Sequence, residues 1–188
     1  MTNIKYYPKS YIMSEELKRF FIQVTNNIDL QKELFNTKTL AEVADIAVKL
    51  GFKIRPAEIL QAQAGRTLAI IDEQPNDIIY LLSGRKAKTG AQWGRGGGGF
   101  LDNPGYWLIE LATPEAITQN EVLINDFLAK VNEKTELKDK LYKTKSFNSL
   151  QQLMQKSGFD ITAEELLSHQ AQKILALTED AADNMASN

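Results

Sequence analysis

From Ser14 to Leu60 the apolar residues recur at intervals of three and four, and polar breaks cut that rhythm into four short predicted helices. Ser14 is placed to cap the first. Glu15 and Glu16 suit the positive end of its dipole, and Leu17, Phe20, Phe21, Val24 and Ile28 share one face. Asn26 and Asn27 stop it. Asp29 can cap a second helix whose apolar residues are Leu30, Leu34 and Phe35, ending at Asn36. Thr39 and Glu42 have capping-box spacing, which opens a third helix with Leu40, Val43, Ile46, Ala47 and Leu50 inward. Gly51 stands where a left-handed residue closes that helix, so that Phe52 folds back onto its last turn. Pro56 then begins a fourth helix through Glu58, Ile59 and Leu60.

The same pattern returns without a gap over residues 121–167, at a constant offset of 107 from residues 14–60. Phe20 matches Phe127, Val24 matches Val131, Leu30 and Leu34 match Leu137 and Leu141, and Gly51-Phe52 matches Gly158-Phe159. Thr162 and Glu165 form another capping box, and the last helix is expected to run through His169 and Ile174 to about Leu177. Polar surface positions have drifted freely between the copies. A repeat that keeps its core but not its polar residues predicts a shared fold and offers no shared catalytic group. The chain therefore divides into an extension (1–13), a first repeat (14–64), a central segment (65–119), a second repeat (120–177) and a tail (178–188) that reads as frayed. The expected fold class is mainly α: two small helical bundles joined by a Gly-rich segment, with room for one or two short strands.

The central segment is absent from both repeats. Thr67 to Ile71 and Ile78 to Leu82 read as a helix continuing from Leu60, a break at Pro75, and a further helix or strand ending at Gly84. Residues 83–101 carry Arg85, Lys86, Lys88 and Arg95 with no acid, and the run Gly96 to Gly99. Such a run is costly to order and by itself reads as a linker. Both tryptophans lie nearby, however, and Tyr106 to Ala112 fits a strand or a short buried helix. Aromatic and arginine side chains are the usual anchors of interfaces, which makes Trp93, Arg95, Phe100, Tyr106 and Trp107 the candidate partner-binding residues. In the alternative reading, Tyr106 and Trp107 close a small core between the repeats. A phosphate cradle is disfavoured because no Lys-Ser or Lys-Thr follows the glycines.

Composition narrows the function classes. With a formal net charge of −2 and a pI near 5.6, the 188-residue chain has no overall electrostatic case for nucleic acid or an anionic membrane. It has no cysteine, so thiolate nucleophiles and thiolate metal sites are excluded, and a reducing cytoplasm is the expected location. One histidine, His169, cannot build a histidine-rich metal site and reads as a helix surface residue. The pairs Glu15-Glu16 and Glu164-Glu165 lie in opening helical turns, where the dipole accounts for them. No catalytic, cofactor-binding or metal-binding residue is predicted, and no run of about 18 apolar residues predicts a membrane span.

Ser-Glu-Glu-Leu-Lys-Arg-Phe at 14–20, Asp-Leu-Gln-Lys-Glu-Leu at 29–34, the Gly-Phe stop at 51 and 52, and Ala-Glu-Ile-Leu at 57–60 together resemble the Nif-eleven domain. That small helical module is abundant in cyanobacteria and best known as the leader segment of ribosomally made, post-translationally modified peptides. The resemblance covers residues 13–64 and 120 to about 170. It implies a handle recognised by another protein, either a partner complex or a peptide-modifying enzyme, and leaves self-association open. The expected function is a non-enzymatic docking or adaptor protein. The alternative is a leader-bearing precursor or carrier, with the segment after Gly99 as its candidate core peptide. Gly51, Phe52, Gly158 and Phe159 are expected to be structural helix stops.

Overall fold

The structure, a computed structural model, describes residues 12–85 and 99–187. These residues form helices and, among them, no strand. The first repeat comprises α1 (Glu15–Thr25), α2 (Ile28–Phe35), α3 (Leu40–Lys49) and α4 (Pro56–Glu73). The central segment supplies α5 (Pro75–Leu82) and α6 (Pro104–Glu110), so Tyr106 begins no strand. The second repeat comprises α7 (Gln119–Glu133), α8 (Thr135–Tyr142), α9 (Phe147–Lys156) and α10 (Ala163–Ala176), and α11 (Glu179–Ala186) follows.

The internal repeat is preserved in fine geometry. The bounds of α2 and α3, shifted by 107, are those of α8 and α9, and Pro56 likewise falls on Ala163 at the start of α10. Gly51 and Gly158 both adopt the left-handed conformation, with φ of 89° and 93°. The amides of Phe52 and Phe159 then donate back to the carbonyls of Ala47 and Met154, each at 3.0 Å, which closes α3 and α9 in the same way. Phe52 packs edge-on against Phe20 and Phe159 against Phe127, both pairs with centroids 5.6 Å apart.

The helix starts show where local chemistry decides. Ser14 accepts from the Leu17 amide, as its position predicts. Asn27 rather than Asp29 caps α2: its side-chain oxygen accepts from the amides of Asp29 (3.1 Å) and Leu30 (3.0 Å), because it sits one residue outside the helix while Asp29 is already inside. Thr39 caps Glu42 as expected, but the Glu42 carboxylate reaches the Lys38 amide rather than that of Thr39. At the position matching Asn27, the second repeat has Lys134, whose side chain makes no cap at α8. An ammonium group has nothing with which to accept. Lys134→Asn should therefore stabilise the protein by about 1 kcal/mol, visible as a raised thermal midpoint.

The fourth helix of the first repeat continues past Leu60 as α4 to Glu73 and breaks before Pro75, as the apolar stretches predict. The tail departs from expectation: it is not frayed but forms α11, capped by Thr178. Asp183 of α11 accepts from the Ala57 amide (2.8 Å), and the Arg55 guanidinium donates to Glu179, Asp180 and Asp183. Ala182 and Ala186 are buried beneath. The tail is thus ordered by the free amide end of α4, a partner more than 120 residues away in the chain.

α4 and α10, the equivalent long helices of the two repeats, pack along each other in the most extensive helix contact among the described residues. α11 lies on α4, and α5 lies on α10, so each repeat's last helices cover the other's. α6 fits against α8 and α9. The two copies consequently share one hydrophobic core rather than hanging from a linker.

Candidate functional site

The predicted contact residues do not gather on the surface. Phe100 and Trp107 are core: their side chains are 0% and 2% exposed, with Phe100 edge-on to Phe147 (6.4 Å). Buried rings are out of a partner's reach, so these two residues act in packing, as the alternative reading of Trp107 anticipated. Tyr106 is half-buried, with its ring against Trp107 and Tyr142, and burial pushes its phenol pKa up. Trp93 and Arg95 lie outside the described residues. The helix stops Gly51, Phe52, Gly158 and Phe159 sit where the repeat places them.

His169 is not a free surface residue. It is half-buried on α10, one turn before Lys173, which pairs with the buried carboxylate of Glu121 and donates to the Thr113 hydroxyl at 3.1 Å. Burial alone would raise the Glu121 pKa. The Lys173 bond and the amides of Ile117 and Thr118, each donating at 2.8 Å, outweigh it and hold this carboxyl at about 2. Burial, helped by Lys173 and opposed by Glu121, brings His169 down to about 4. The cluster fastens residues 113–118 to α7 and α10. Among the described residues, no group of three His, Asp or Glu side chains is placed to hold a metal ion, and no helix is long and apolar enough to cross a membrane.

The depressed pKa of His169 makes a pH prediction. The unfolded chain protonates this imidazole below its ordinary value of 6.5, whereas the folded chain resists until about 4. The stability present above pH 6.5 is therefore lost as pH falls from 6.5 to 4, by up to about 3 kcal/mol. Glu121 adds a loss between 4.5 and 2. His169→Gln should flatten the stability profile in the upper window and leave the lower one in place, as measured by denaturant unfolding at a series of pH values.

Several of the exposed apolar side chains among the described residues belong to the first repeat. Ile22, Ile28, Val48 and Leu50 are 62%, 68%, 58% and 42% exposed, at the end of α1, the start of α2 and the end of α3. Phe35, at the end of α2, is exposed too. The helical pattern had placed Ile28, Phe35 and Leu50 on inward faces. They fail to reach the core because each stands at a helix end, where a stripe with a period of 3.6 residues no longer faces the neighbouring helices.

The profile of the Nif11 domain matches residues 13–59 and 124–166. The chain carries two tandem Nif11 domains. No curated protein and no solved structure matches it.

Alignment of the two Nif11 domains separates fold from surface. Ile22, Ile28, Val48 and Leu50 of the first domain correspond to Ala129, Thr135, Gln155 and Ser157 of the second. The second domain builds the same helices without these apolar groups, so the fold does not require them. A signal for this face was present in the sequence: apolar residues in one copy opposite polar residues in the other mark positions outside the shared core. In the second domain the same helix ends enclose a cleft of about 500 Å3, in which Thr135 and Ser157 both take part. Their counterparts Ile28 and Leu50 accordingly occupy one side of the first domain.

Proposed function

We propose that this chain is a non-enzymatic docking protein, in which the exposed apolar face of the first Nif11 domain seats a larger protein partner and the second domain braces it through the shared core. The observation that carries this reading is the exposure of Ile22, Ile28, Val48 and Leu50 at positions where the second domain is small or polar. Exposed apolar side chains in water favour association, and with no role in folding they support a surface kept for binding.

The two domains also supply the test. Ile22→Ala, Ile28→Thr, Val48→Gln and Leu50→Ser, introduced together, transplant second-domain residues that the fold already tolerates. The variant should keep the helical circular dichroism and thermal midpoint of the original while losing the proteins that co-purify with the full-length chain from its native cells. Undiminished co-purification by a folded variant overturns the proposal.

A second reading has support from the family, because Nif11 domains are associated with the leaders of modified peptides. On that reading the segment after Gly99 would be the peptide to be modified or released. Its burial weighs against this. Phe100, Leu101, Trp107 and Leu108 are core side chains, and the buried Gln170 amide donates to the Pro104 carbonyl at 2.8 Å.

A further inference from the structure

The cleft of the second Nif11 domain differs from the first domain's surface in charge. Lys130, Lys134, Lys140 and Lys156 line it, with Glu136 as the one acidic lining residue and the half-buried Leu137 between them. The first domain has Gln23, Asn27, Glu33 and Lys49 at the positions of the four lysines. Three of the four cations are thus peculiar to the second copy.

These lysines are poorly used by the fold. Lys130 is engaged, donating to the Ser157 carbonyl at 2.6 Å and lying over the Phe159 ring. Lys134, Lys140 and Lys156 are exposed and make no ion pair among the described residues. Lys134 in addition displaces the asparagine cap that the first domain uses at α2. A residue that breaks a local rule, beside like charges that repel it, without a compensating contact in its own chain, is expected where function sets the choice.

We infer that this cleft binds an acidic segment of a partner polypeptide. Lys134 and Lys140 are six residues apart, about 9 Å along α8, which exceeds the span of a single phosphate or carboxylate. An extended chain advances about 7 Å over two residues, so acidic side chains on alternate residues can meet successive ammonium groups. Lysine suits this task because its point charge needs no fixed bidentate geometry. The lining contains no aromatic ring on which a base could stack, which disfavours a single-stranded nucleic acid. Leu137 offers apolar contact to the stems of the bound side chains. This cleft is separate from the first domain's apolar face, and the inference does not depend on that face binding anything.

Fluorescence anisotropy with a labelled hexaglutamate peptide and the full-length chain at low salt tests the inference. Binding should weaken as salt rises, and Lys134→Asn with Lys140→Glu, the first domain's own residues, should weaken it tenfold or more. The same variant should keep or raise the thermal midpoint, which separates lost binding from lost folding. A control with the same change in net charge, Lys38→Gln with Lys49→Glu in the first domain, should bind nearly as the original does. The inference is overturned if hexaglutamate does not bind, if the control loses as much as the cleft variant, or if a hexamer of thymidylate binds equally well.

Discussion

Trp107→Ala lowers the stability of the protein by about 3–5 kcal/mol, because it removes one of the largest fully enclosed side chains and leaves a cavity where α6 meets α8 and α9. Domains of this size are commonly stable by about 5–15 kcal/mol, so the variant should unfold at a much lower denaturant concentration or lose its fold near physiological temperature. The result separates two roles for the aromatic cluster. A ring held out for a partner could be truncated with little change in unfolding, whereas a ring that fills the core cannot. A thermal midpoint unchanged by Trp107→Ala would mean that the packing of α6 is wrong.

Gly105→Ala should destabilise by about 3 kcal/mol, although alanine ordinarily favours a helix. A methyl group at Gly105 would overlap the Leu141 carbonyl oxygen and the Thr144 hydroxyl. Both groups are fixed, since the Thr144 hydroxyl donates to that same carbonyl at 2.7 Å. Relief would require α6 to lift from α8, and Trp107 would lift with it. Gly51 and Gly158 are sensitive for a different reason. A Cβ at either would meet nothing within 4 Å, but φ near +90° disfavours any side chain, so Gly51→Val should cost about 1–2 kcal/mol through the backbone alone. Urea denaturation of the variants measures both effects, and a stability equal to that of the original in Gly105→Ala would contradict the close approach.

The features legible in the sequence were those decided within a few residues. Ser14, Thr162 with Glu165, Pro56 and Gly51-Phe52 each act within about a turn of chain, and the Gly-Phe stop recurs at the fixed offset as Gly158-Phe159. The misread elements are held from a distance. α11 is rich in alanine and acids and carries no strong apolar stripe; it forms because Asp183 and its neighbours answer Arg55 and the Ala57 amide at the far end of the molecule. The aromatic residues beside the glycine run were ambiguous for the same reason. Phe100 and Trp107 have the composition of an interface anchor and of a core, and only the positions of α8 and α9 distinguish the two. The apolar face of the first domain was hidden by a helical period that counts Ile28 and Leu50 as inward, although Thr135 and Ser157 in the second copy signalled otherwise.

The measurement that bears most directly on the account is the intact mass of the protein isolated from its native cells. A docking protein works as a whole chain, and the mutual packing of α4 and α10 needs both Nif11 domains in place. The predicted result is the full-length, unmodified mass. Cleavage near Gly99, or mass shifts confined to residues 100–112, would contradict the account and assign the chain to the precursors of modified peptides.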